Sequence, residues 1–161
     1  MPAPSVMAPS VMAPPVLATS QGLYDALVVL HVVCAVVGFG AVAVSGVYGA
    51  LARDPGNRSE VGRYFTSPGL AEWLVVPVPF FGLGALLADD RSGDLTDVWI
   101  IGGSIVWIAA TAILFAAVRP AEARLRRWEH PARDGRILMW AGIGSDLLFV
   151  VALALMVTQP G

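Results

Sequence analysis

Four long apolar runs separated by short charged stretches set the pattern of this chain. The first lies between Asp25 and Arg53 and holds no carboxylate and no arginine. The second, 70–88, holds only Glu72; the third, 98–118, holds no charge; the fourth, 137–159, is interrupted only by Asp146. A hydrocarbon core of about 30 Å takes about 20 apolar residues in helical form, so each run predicts a membrane-crossing helix. Ser20, the Ser67-Pro68 pair and Thr96 are the residue types that start helices. The expected helices cover about 23–51, 69–88, 97–118 and 136–158, with a bend at Arg119-Pro120. Short links make sequential helices antiparallel neighbours. The predicted fold is therefore all-α, a four-helix transmembrane bundle forming one membrane domain over 21–161. Residues 1–20 repeat Ala-Pro-Ser-Val-Met and predict a disordered Pro/Ala-rich tail, in which Met7 and Met12 offer alternative starts.

Composition supports the membrane reading. Hydrophobic residues make up 57% of the chain and charged residues 14%, against about a quarter charged in a soluble domain. Every basic side chain is arginine, and the arginines are unevenly placed. Arg53, Arg58 and Arg63 lie in the first link, and Arg119, Arg124, Arg126, Arg127, Arg133 and Arg136 in the third. Arg91 alone lies in the second, among Asp89, Asp90, Asp94 and Asp97. The inside-positive bias of membrane proteins puts loops 52–68 and 119–136 in the cytoplasm and both termini outside. A bacterial plasma membrane is the expected location. Trp73 and Trp140 fall at the inner ends of their helices, Tyr24 and Trp99 at outer ends. The segment 120–130 reads as a short amphipathic helix on the inner leaflet, or as helix three continued past its bend. Glu122 and Arg126 have the spacing of a helical ion pair, and Leu125 and Trp128 share a face. No basic patch suits nucleic acid, and Cys34, the single cysteine, excludes an internal disulfide.

Ionisable groups inside apolar runs are the candidate chemistry, because a carboxylate at the bilayer centre costs about 2.5–3.5 kcal/mol. Asp146 is expected near mid-membrane, where it should face the bundle interior, be protonated or have a partner. His31 and Cys34 open a stripe of small residues continuing through Ala35, Gly38, Ala41, Ser45 and Gly49, which predicts a face packed on protein. Cys34 reads as a packing residue. His31 is a candidate ligand for haem or a metal ion, with Asp146 as its partner; the alternative is a plain hydrogen bond to a carbonyl. In helix two, Pro77 and Pro79 cannot donate to the carbonyls of Trp73 and Val75. Freed carbonyls in a membrane need another partner, which predicts a kinked helix beside a polar cavity. Glu72 lies at the inner end of that helix, within reach of the interface. His130 is expected in water. Phosphate loops, paired Cys-x-x-Cys, His-Glu-x-x-His and nucleophile elbows are absent from the sequence, so no catalytic residue is assigned.

Leu30-His31, followed by an apolar stretch with Gly38 and Gly40, resembles helix one of the CopD-like group of small bacterial integral membrane proteins. That group includes HemJ-type oxidases and uncharacterised predicted integral membrane proteins, and the last branch is the nearest in layout. The resemblance implies a haem or metal ligand at His31. HemJ proteins also rely on a membrane lysine, which this chain lacks, and no Met or His cluster accompanies His31 as copper transport would require. Three functions follow as expectations: a buried polar site that binds haem or a metal; an accessory subunit of a larger membrane complex, or a homodimer; a small transporter component using the broken helix two.

Overall fold

The structure, a computed structural model, describes residues 15–66, 69–88 and 96–158, with side chains from Gln21 onward. Residues 1–14, which hold most of the expected tail, lie outside that description, as does the expected cap at Ser67. The described residues form helices and no strands, and four of the helices are long and apolar enough to cross a membrane. They are Gln21–Leu51, Ala71–Ala88, Val98–Arg127 and Pro131–Thr158. The first is the body of α1 (Pro15–Leu51), whose backbone begins inside the segment expected to be disordered. A 3₁₀ turn (Pro55–Asn57) and α2 (Arg58–Thr66) fill the first link. The second crossing opens with a 3₁₀ segment (Ala71–Val75) and continues as α3 (Val78–Ala88). The third comprises α4 (Val98–Ile113), a π-turn (Leu114–Val118) and α5 (Arg119–Arg127). The fourth is α6 (Pro131–Thr158).

Two further boundaries differ from expectation for local reasons. Helix three does not stop near Val118. Pro120 cannot donate to the helix ladder, and the π-turn Leu114–Val118 directly before it is where the continuous helix departs from regular α geometry. The continuation of helix three, and not a separate surface helix, is therefore what forms. It ends at Trp128, which takes the left-handed conformation (φ 55°) as C-cap. Helix four starts at Pro131 and not near Arg136, because proline fixes the first turn there.

Glycine decides how the first and last helices meet. A Cβ on Gly46 would stand 3.2 Å from Gly142 Cα, and one on Gly49 2.5 Å from Leu138 Cβ. Only hydrogen at these positions lets the backbones approach so closely. Gly38 does the same for the second crossing, where a Cβ would lie 2.6 Å from the backbone nitrogen of Val75. The small-residue stripe of α1 is thus a packing face, and Cys34 is buried on it. The apolar core gathers at the end of the bundle bearing the arginine-rich links, around Phe39, Val42, Phe65, Val75, Leu114, Leu125 and Leu138. Outward faces carry exposed apolar side chains such as Val33, Phe80, Ile105 and Val150, as a lipid-facing surface requires.

Candidate functional site

The residues expected to meet do not meet. Nδ1 of His31 lies 2.7 Å from the carbonyl oxygen of Val78 and donates to it. Gly82 makes room, since a Cβ there would fall 2.8 Å from the same nitrogen. Asp146 does not face the bundle interior. It is exposed on the outward side of α6, one position past the buried Ser145. The one-residue step turns a helix by about 100° at 3.6 residues per turn, which separates the two side chains. With Gly46 against Gly142, Asp146 is level with about Val42, some 16 Å along α1 from His31 by helical rise. The expected His31–Asp146 pairing is therefore not formed.

The prolines of helix two behave as their chemistry demands. The carbonyl of Trp73 accepts from the N–H of Val76 at 3.0 Å, within the 3₁₀ segment. The carbonyl of Val75 accepts from the indole N–H of Trp107 at 2.9 Å. Both freed acceptors are satisfied by protein.

The polar centre lies instead at the end of the bundle that bears the arginine-rich links. Five side chains from four elements converge there: Ser45 of α1, Tyr64 of α2, Glu72 of the 3₁₀ segment, and Arg119 and Glu122 of α5. Glu72 and Glu122 are 1% and 2% exposed, far drier than the interface position expected for Glu72. The Ser45 hydroxyl is 2.6 Å from Glu72 Oε1, 2.9 Å from Glu122 Oε1 and 3.1 Å from the Tyr64 hydroxyl. Arg119 reaches the other side of both carboxyls, at 3.5 Å from Glu72 Oε2 and 3.3 Å from Glu122 Oε2. Its contact with Glu72 is an ion pair and not a hydrogen bond, so Glu72 Oε2 has no hydrogen-bond partner among the described residues. The guanidinium also lies over the Trp73 ring, 5.4 Å from its centroid. Arg126 is 4.0 Å from Glu122 Oε2, the helical pair expected from spacing.

Hydrogen counting constrains this cluster. A serine hydroxyl has one hydrogen to give. Both carboxyl contacts of Ser45 can be hydrogen bonds only if one of the two carboxyls carries a proton and donates it. Tyr64 is a donor as well: burial pushes its phenol above the usual value, the Ser45 hydrogen bond opposes this, and the nearby Glu72 and Glu122 raise it further. A cavity of about 230 Å³ lies against the cluster, lined by Tyr64, Phe65, Gly69, Leu70, Glu72 and Glu122 among others. Gly69 keeps it open, because a Cβ there would stand 3.0 Å from the Glu72 carboxyl. A second buried ion pair, Arg124 Nε to Asp134 Oδ1 at 2.8 Å, ties α5 to the start of α6.

Of these residues Glu72 is a candidate from the sequence, and Glu122 reads there only as half of a helical ion pair with Arg126. Ser45 appeared only as a small stripe member, and Tyr64 and Arg119 gave no signal beyond their place in polar links. Among the described residues no three His, Cys, Asp or Glu side chains are grouped to hold a metal ion. Comparison with protein-family models, with curated proteins and with solved structures gave no match.

Proposed function

We propose that this integral membrane protein is a small proton-exchanging component of membrane transport, working through the Glu72–Glu122 pair. The observation that carries the reading is the single Ser45 hydroxyl within hydrogen-bonding distance of two buried carboxyls from different helices. Such a pair shares a proton, because two adjacent buried carboxylates are poorly tolerated beside limited positive charge. The adjoining cavity gives that proton a route toward the loops, which on the inside-positive reading lie in the cytoplasm of a bacterial cell. The test is infrared difference spectroscopy of the full chain in lipid nanodiscs across a pH step. A protonated-carboxyl band at neutral pH, lost in Glu72→Gln or Glu122→Gln and shifted in Ser45→Ala, supports the reading. Its absence in the wild type would make the cluster a structural ion pair.

A second reading rests on His31. In a neutral ring the hydrogen bond from Nδ1 to Val78 selects the tautomer whose Nε2 carries the lone pair. This is how an orienting acceptor prepares a histidine ligand, and it fits the cofactor role that the CopD-like resemblance implies. A Soret band or stoichiometric metal in the purified protein, abolished by His31→Ala, would support it. The outward Asp146 is the observation in favour of a subunit role, in a homodimer or a larger membrane complex, since lipid gives that carboxyl no partner.

A further inference from the structure

A groove of about 430 Å³ runs between helices three and four at the arginine-rich end of the bundle. It is a shallow groove, open along its length to the surroundings of the bundle. The walls are Ile113, Ala117, Ile137, Trp140 and Ala141, with Arg136 at one end. Its origin is local. The π-turn at Leu114–Val118 interrupts the regular surface of helix three, and Ala117 and Ala141 leave the facing positions unfilled.

The charge at its mouth is unspent. Arg119, Arg124, Arg126 and Arg127 all have carboxylate partners. Arg133 and Arg136 are exposed and form no ion pair among the described residues. With Trp140 they stand three and four residues apart on α6, one side of the helix. Trp140 is 62% exposed, and tryptophan in a membrane protein settles at headgroup depth. An apolar channel that begins at headgroup level under an unpaired arginine has the form of a lipid site. Basic pockets between helices on the inner side bind acidic headgroups.

We infer that this groove holds an anionic glycerophospholipid, one acyl chain lying along Ile113, Ala117 and Ile137 and the phosphate on Arg136 and Arg133. The inference is independent of the Glu72–Glu122 reading, which involves neither arginine.

The test uses the full chain in nanodiscs of phosphatidylcholine with and without phosphatidylglycerol, followed by lipid analysis of the protein released in mild detergent. Retained phosphatidylglycerol is expected, enriched over its share of the nanodisc lipid. Arg136→Gln should lower retention about fivefold, the effect of removing about 1 kcal/mol of headgroup attraction. Ala117→Leu, which keeps every charge but fills the groove, should lower it as well. Arg63→Gln, an equal loss of charge on α2, should leave it unchanged. Equal losses from Arg63→Gln and Arg136→Gln would reduce the effect to surface potential and overturn the site. Undiminished retention in Ala117→Leu, with the variant folded by circular dichroism, would also overturn it. So would full displacement of the lipid by soluble glycerophosphate, which would show that the groove contributes nothing.

Discussion

One methylene is enough to separate the two histidine environments the sequence allowed. Alanine at Gly82 would drive a Cβ into the His31 ring and force the imidazole off the Val78 carbonyl. Gly82→Ala should therefore destabilise the protein by about 1–3 kcal/mol, the cost of overpacking plus the loss of the His31 hydrogen bond. His31→Ala should suppress much of that loss in a double-mutant cycle followed by thermal melts in detergent. Independent, additive losses would mean that the two residues do not touch. At Tyr64 the raised phenol pKa has a defined sign. Its contribution to stability is complete below the unfolded value near 10 and is lost as pH rises through the folded one. Alkaline destabilisation above about pH 10 should be smaller in Tyr64→Phe, measured by melting temperature against pH. These residues show why the site was only partly legible. Glu72 stood out as the lone charge in an apolar run, whereas Glu122 sits among arginines that explain it locally. Nothing in the spacing of Ser45, Tyr64 and Glu122 places them together, because they meet only once α2 and the continuation of helix three pack against the end of α1. Asp146 was readable as an ionisable group in a span but not as an outward one, since Ser145 beside it is equally polar and takes the inner position.

Helices were the most readable level, because run length in hydrocarbon fixes their existence and proline fixes their starts. Interruptions were harder. The Arg119-Pro120 pair reads as a bend in isolation, yet a π-turn one step earlier lets the helix run on to Arg127. In helix two the sequence identified the freed carbonyls but not what would take them, since the donor for Val75 is an indole on another helix. Trp107→Phe keeps most of the ring and removes the N–H. It should cost about 1–3 kcal/mol and loosen helix two specifically, seen as faster hydrogen exchange between 71 and 78 with little change in α6. Uniform exchange across all four helices would show that this bond does not hold the break.

Four antiparallel crossings bring both links bearing the site to one end of the molecule, so sidedness governs what the site can reach. In a Cys34→Ala background, Ser59→Cys should be protected from an impermeant thiol reagent in intact cells, and Gln21→Cys should react. The reverse pattern would invert the proposed orientation. If Asp146 joins this chain to another subunit, Asp146→Leu should reduce the mass of the assembly solubilised from native membranes; an unchanged mass would leave the carboxyl facing lipid. The broken start of helix two has a bearing on the membrane itself. Its crossing has 18 residues, which as regular α-helix would rise only about 27 Å. The 3₁₀ segment is more drawn out, about 2.0 Å per residue, and extends the same residues to about 30 Å, the thickness of ordinary hydrocarbon. The prolines thereby act as a length adjustment for the second crossing. Pro77→Ala combined with Pro79→Ala should shorten that reach, and the optimum for stability should move from longer-chain toward shorter-chain phosphatidylcholine, the thinner bilayer a short helix selects.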